Sequence, residues 1–150
     1  MGPMSHHATR LVWTRTDAPF RYETYVRDHR LELETGSVLA VSAAPDYRGN
    51  PRLTNPEELL VGALSSCHML TFLAICARKG LEVERYEDEA VGTLARPEGG
   101  PMQLTECVLR PKVRFAGEAP DATTLRSLHD QAHKGCFIAS SVKTDVRVEL

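Results

Sequence analysis

The chain lacks a marked charge of either sign: its formal net charge is −2 over 150 residues. That removes a general attraction for nucleic acid or an anionic membrane and points to a small molecule, or another copy of the same chain, as partner. No uninterrupted apolar run reaches the roughly 18 residues of a membrane span, and the amino terminus has neither an apolar h-region nor a cleavage site. The cytoplasm is the expected location. Cysteine is sparse, at four residues. In a reducing compartment these are not expected to be structural staples, and a chain able to bury roughly 70% of its unfolded surface does not need them. Any disulfide is expected to be transient and catalytic. Repeats, low-complexity tracts and internal linkers are also absent, so a single domain over 10–150 is expected after a polar, patternless tail over 1–9.

What the chain has is alternation and one very apolar helix. Arg10 to Arg15, Phe20 to Val26, His29 to Thr35 and Val38 to Ser42 have alternating or β-rich character. Residues 43–53, with Pro45, Gly49 and Pro51, form a loop that leads to a helix start: Asn55 as N-cap, Pro56 at N1 and Glu58 at N3 as a capping-box acid. From Leu59 to Ala77 nearly every residue is apolar or small on all sides, and Lys79-Gly80 ends the helix. Such a helix must be covered all round, which favours a dimer in which two copies pack together inside sheets. Glu82 to Leu94 and Gln103 to Phe115 read as long strands joined through 97–101. A second helix, capped near Asp121, runs to about Lys134, and Val142 to Leu150 alternates again.

Cys67 lies inside the apolar helix and Cys136 just beyond the end of the second. A thiol in the middle of a buried helix is ordinarily an inert small hydrophobe, so reactivity at Cys67 requires a neighbour that stabilises the thiolate. Cys76, nine residues on and on the opposite helix face, and Cys107, alternating within a strand, read as core. His68 points about 100° away from Cys67 and reads as a helix-interface histidine rather than its base. A zinc set of Cys67, His68, His133 and Cys136 lacks the short paired spacings of structural zinc sites.

The segments Thr54-Asn-Pro-Glu-Glu-Leu-Leu60, Ser65-Ser-Cys-His-Met-Leu-Thr-Phe-Leu73, Leu109-Arg-Pro111, Ala132-His-Lys-Gly-Cys136 and Ser141-Val-Lys143, in this element order, resemble the OsmC/Ohr family of thiol-dependent hydroperoxide reductases. The resemblance implies an α+β fold: an intertwined homodimer with two central apolar helices covered by antiparallel sheets and active sites at the subunit interface. It implies that Cys67 is the peroxidatic cysteine, Cys136 the resolving one and Glu57 the family's motif carboxylate. The activating arginine falls on Arg27 of Val26-Arg-Asp-His-Arg30, with Arg48 the alternative in the loop before the Asn-Pro-Glu motif.

These roles have a physical rationale. A peroxidatic cysteine attacks as the thiolate, yet mid-helix Cys67 gains nothing from the dipole of its own helix, so a guanidinium is expected to supply the field, held in place by a carboxylate such as Glu57. Ten residues of helix rise about 15 Å, so Glu57 and Cys67 of one helix cannot both touch a single guanidinium. Glu57 is therefore expected to reach Cys67 of the partner subunit. The implied activity is reduction of organic hydroperoxides through a Cys67–Cys136 disulfide that an external dithiol resets; a dihydrolipoyl protein is the reductant the resemblance suggests, with thioredoxin or a small thiol as alternatives. No cofactor is required. Met69, Leu70, Phe72, Phe137 and Ile138 flank the site and favour an apolar substrate. The rival readings are a redox-sensing dimer and a dimer that binds a hydrophobic ligand without efficient turnover. His68-Met69 departs from the bulky apolar residues usual after this cysteine in the family.

Overall fold

A computed structural model describes residues 2–150 and resolves eight strands and two helices, an α+β architecture. The contacts divide into two compact units, one ending at Leu59 and the other running from Leu60 to Leu150.

The first unit is built on an antiparallel sheet in the order β1 (Thr9–Val12), β2 (His29–Leu33) and β3 (Val38–Val41). Phe20 to Val26, which alternates like a strand, instead folds back in turns, with Arg21 O accepting from both Thr24 N and Tyr25 N. Its aromatic rings stack on Trp13 rather than entering a ladder, and that packing overrides the local β preference. After β3 a 3-10 turn at Pro45–Tyr47 leads to Arg48 in the left-handed region (φ 63°) and to Gly49. A β-carbon at Gly49 would overlap the Ala43 carbonyl, 1.5 Å away, so only glycine fits.

The helix start lies where the sequence puts it. Asn55 Oδ1 accepts from Glu58 N at 2.9 Å, and α1 runs unbroken over Pro56–Arg78. The Glu58 carboxylate accepts from Thr54 Oγ1 at 3.3 Å rather than closing the capping box on Asn55. By length and composition α1 would pass for a membrane span, with mean hydropathy 2.0 over its apolar window, but it serves as the core helix of the second unit. Leu64, His68, Phe72 and Cys76 form its buried stripe at four-residue spacing.

That stripe spans two apolar clusters. Leu64, with Leu60 and Val61, packs against Cys107, Leu109 and Val146. Phe72 and Cys76 pack against Phe115, Leu128 and Ala132. The two clusters correspond to two sheets, because each of the long strands expected over 82–94 and 103–115 is broken in the middle. They form β4 (Val83–Asp88) and β5 (Val91–Ala95), then β6 (Gln103–Leu109) and β7 (Pro111–Phe115). β4 pairs with β7, while β5 and β6 join β8 (Asp145–Val148) in a separate sheet. Pro111 lacks an N–H, and Asp88 sits at the break: its Oδ1 accepts from Arg110 N at 2.6 Å and its Oδ2 from Ser65 Oγ at 2.5 Å. The β6–β8 pairing is parallel, an exception to the antiparallel pattern expected throughout. The second helix, α2 (Ala122–Gly135), is capped by Asp121 as its sequence indicates, with Thr124 N donating at 2.7 Å.

Replacing Asp88 by Ala removes a helix tether and a strand-end partner together. Chemical denaturation of Asp88→Ala is expected to show a loss of about 1–3 kcal/mol.

Candidate active site

Cys67 and Cys136 are brought together. Both are free thiols; Cys67 is partly exposed midway along α1, and Cys136 is buried. Cys136 lies at the C-terminus of α2, where its N–H donates to His133 O at 3.3 Å. The chain then turns tightly: Ser140 donates to Cys136 O from both N and Oγ at 3.1 Å, Ser141 Oγ donates to Phe137 O at 2.7 Å, and a 3-10 turn follows at Ala139–Ser141. This winding turns the free amides at its start toward sulfur.

The electrostatics separate the two thiols. Burial alone would raise the Cys67 pKa, but the donors around its sulfur, the Ile138 amide first, then the Cys136 thiol and the Phe137 amide, outweigh it and bring the pKa below that of an ordinary thiol. Cys136 shifts the other way. Burial is the main cause, only partly offset by the Ala139 amide, and the neighbouring Cys67 raises it further. The two neighbouring thiols are therefore shifted in opposite directions, Cys67 toward the more acidic side and Cys136 away from it.

The expected guanidinium is not what surrounds Cys67 within its own chain. In the unit holding both cysteines, backbone amides of the Cys136–Ser141 turn act on the Cys67 sulfur. α1's own dipole cannot help Cys67, but the start of another helical turn, folded onto it from far along the chain, can. Arg27 lies in the first unit. Its guanidinium donates to Tyr25 O at 2.8 Å and Tyr22 O at 2.6 Å and stacks over the Tyr25 ring at 3.8 Å. Arg48 lies 5.6 Å from the Tyr22 ring centre. Trp13, Phe20, Tyr25, Arg27, His29, Ser42, Ala43 and Pro56 line a cavity of 380 Å³ in this unit. Glu57 is in the same unit, at the first turn of α1, and its buried Oε2 has no hydrogen-bond partner among the described residues.

Of the flanking apolar residues, Phe72 is fully buried in the core, whereas Leu70 and Phe137 are exposed. Cys76 and Cys107 are both buried, with pKa values raised by burial, as inert core thiols require. No group of three or more His, Cys, Asp or Glu side chains is placed to hold a metal ion among the described residues. His68 instead turns inward: its Nε2 lies 3.0 Å from Nδ1 of His129 on α2, and both rings are buried. Sequence reasoning marked His68 as an interface histidine but did not find His129, whose only signal is its place on the inner face of an amphipathic helix.

Residues 49–150 match the OsmC-like protein family. The chain belongs to that family. It is 42% identical to the OsmC-like protein of unknown function VCA0330 from Vibrio cholerae, whose structure it matches with a TM-score of 0.91 over 97% of this chain and 99% of that one. A structure of an organic hydroperoxide resistance protein from Elizabethkingia anophelis matches with a TM-score of 0.76 at 16% identity, over 100% of this chain and 96% of the other, and so shares the fold. In sequence, the chain is 27% identical to the uncharacterized protein YmaD of Bacillus subtilis over 121 residues, 79% of this chain and 80% of that one.

Burial pushes His68 and His129 down to about 4, each with smaller contributions from neighbours: His133 lowers and Asp88 raises His68, while His68 and Arg126 lower and Asp130 raises His129. An unfolded chain, with histidines near 6.5, binds more protons than the folded one between those values. Stability is therefore expected to fall as pH drops from about 6.5 toward 4, by on the order of 3 kcal/mol for each histidine. Denaturant midpoints over that range test this, and a double His68→Leu/His129→Leu variant should flatten the dependence.

Proposed function

We propose that this protein reduces organic hydroperoxides to alcohols, using Cys67 as the nucleophile and Cys136 as the resolving thiol. The observation that carries the reading is the opposed tuning of two adjacent free thiols, Cys67 lowered and Cys136 raised. In the first step the Cys67 thiolate attacks the peroxide O–O bond; sulfur is oxidised to a sulfenic acid and the alkoxide leaves as ROH after taking up a proton. In the second, the Cys136 sulfur displaces hydroxide from the sulfenic acid, and its proton goes to the leaving water. An external dithiol then reduces the Cys67–Cys136 disulfide. The amides of Phe137 and Ile138, fixed in the backbone beside the reacting sulfur, stabilise its thiolate without having to reorganise.

The same reading makes the working molecule a homodimer. On α1 the residues Gly62, Ser66, Leu70 and Ala74 are exposed along the side opposite the buried stripe, and Leu70 keeps 60% of its surface in water. This face of small side chains permits close approach of a second α1, which suits the family's dimeric habit. In that dimer Glu57, with its unpartnered buried oxygen, and Arg27, in its aromatic cavity, are read as contributions to the site at Cys67 of the partner subunit. The aromatic lining of that cavity favours an alkyl or aryl peroxide over hydrogen peroxide. It also favours the second reading, a dimer that binds a hydrophobic ligand without turnover.

A stoichiometric pulse of cumene hydroperoxide on the reduced protein, followed by non-reducing peptide mapping, separates the two. A new Cys67–Cys136 link is the expected result; Cys67 left as a free thiol would remove the peroxidase reading. Cys67→Ser is expected to abolish turnover, while Cys136→Ser should keep the first oxidation and lose at least a hundredfold in steady-state rate. Leu70→Glu, a charge on the exposed α1 face, is expected to shift the protein from dimer to monomer in sedimentation.

A further inference from the structure

The buried histidine pair is unexplained by packing. The His68 and His129 rings are parallel within 4° and their centres lie 5.3 Å apart, with Phe72 stacked on His129 at 4.2 Å. The pair shares one hydrogen, so each ring keeps one nitrogen for other partners. Yet His68 Nδ1 and His129 Nε2 have none among the described residues. A core that needed only filling would lose nothing by holding two apolar side chains here and would escape both unpaired nitrogens.

What the pair has that leucines would lack is direction. Apart from the Cys67–Cys136 contact at the end of α2, it is the one side-chain hydrogen bond between α1 and α2 among the described residues. It joins the residue after Cys67 to a point on α2 two turns before Cys136. Nearer Cys136 the helices meet again at Gly135, where a β-carbon would stand 3.1 Å from Thr71 Cγ2. Thr71 in turn donates to the Cys67 carbonyl at 2.9 Å. A hydrogen bond fixes rotation and register between helices, whereas apolar contacts tolerate a small slide, and the Phe137 and Ile138 amides must meet sulfur within a few tenths of an ångström.

We propose that His68 and His129 are positioning residues: their hydrogen bond clamps α2 to α1 and so holds the Cys136–Ser141 turn, with its amides and its thiol, on the Cys67 sulfur. The proposal rests on the thiol chemistry described above for Cys67 and Cys136.

The test uses the full chain as wild type, His129→Leu, His129→Asn, whose side chain restores a polar atom at the Nδ1 position, and the His68→Leu/His129→Leu double variant. Two quantities are read besides thermal stability: the pH midpoint of Cys67 alkylation by iodoacetamide, followed by mass spectrometry, and the rate of Cys67–Cys136 closure after one equivalent of cumene hydroperoxide. The double variant is expected to melt at or above the wild-type temperature while its alkylation midpoint rises and closure slows at least tenfold. His129→Asn should stay within about threefold of wild type. A folded double variant with wild-type midpoint and closure rate would overturn the proposal. If the double variant does not fold, the single variants decide: a slow His129→Leu beside a near-normal His129→Asn supports the clamp, and equal behaviour of the two overturns it. A wild type that ignores the hydroperoxide, but whose alkylation midpoint still moves on loss of the pair, removes the peroxidase reading and leaves the clamp standing.

Discussion

The seating of one short turn on the middle of one helix is the contact that sets the surroundings of Cys67. Cys67 is ordinary in its own helix: it is far from either terminus, and burial works against ionisation. It acquires its character from amides that lie some seventy residues further along the chain. Those amides are free because α2 has ended and the next helical turn has just begun, leaving the first donors of that turn without intrahelical partners. The Cys67 sulfur thus meets donors that the backbone geometry of another segment leaves free.

Around that contact the structure is divided rather than uniform. The buried stripe of α1 passes from one apolar cluster at Leu64 to another at Phe72 and Cys76, and Cys67 and His68 lie between the two. Asp88 holds the strand break and Ser65 of α1 at the same place. Polar side chains gather where neither apolar cluster extends, which is where a solvent-accessible thiol and a buried hydrogen bond can coexist with a well-packed interior.

Much of this was legible in the residues. The cap at Asn55, the stop at Gly80 with its φ of 73°, the cap at Asp121 and the core character of Cys76 and Cys107 follow from local rules, and the structure has them in place. The resemblance carried the α+β fold. What could not be read was non-local. In 82–94 and 103–115 the local mark of a change of sheet is Pro111, whose missing N–H interrupts the ladder, but which strand each half then joins is set by distant partners. Phe20 to Val26 has strand-like residues but spends its aromatics on a cluster with Trp13. The amides of Phe137 and Ile138 carry no sequence signal at all, since every residue but proline has one.

The separations of these contacts along the chain order the assembly of the site. Ser65 meets Asp88 across 23 residues, within the segment formed by α1 and the strands that follow it. His68 meets His129 across 61, and β8 joins β6 only after α2 has been made. Closing the longer loop costs more chain entropy and rewards it later. Topology thus makes the environment of Cys67 a late product of folding: a nascent chain, or one whose C-terminal segment has detached, carries Cys67 as an unremarkable thiol, and only the completed fold brings the Phe137 and Ile138 amides to it.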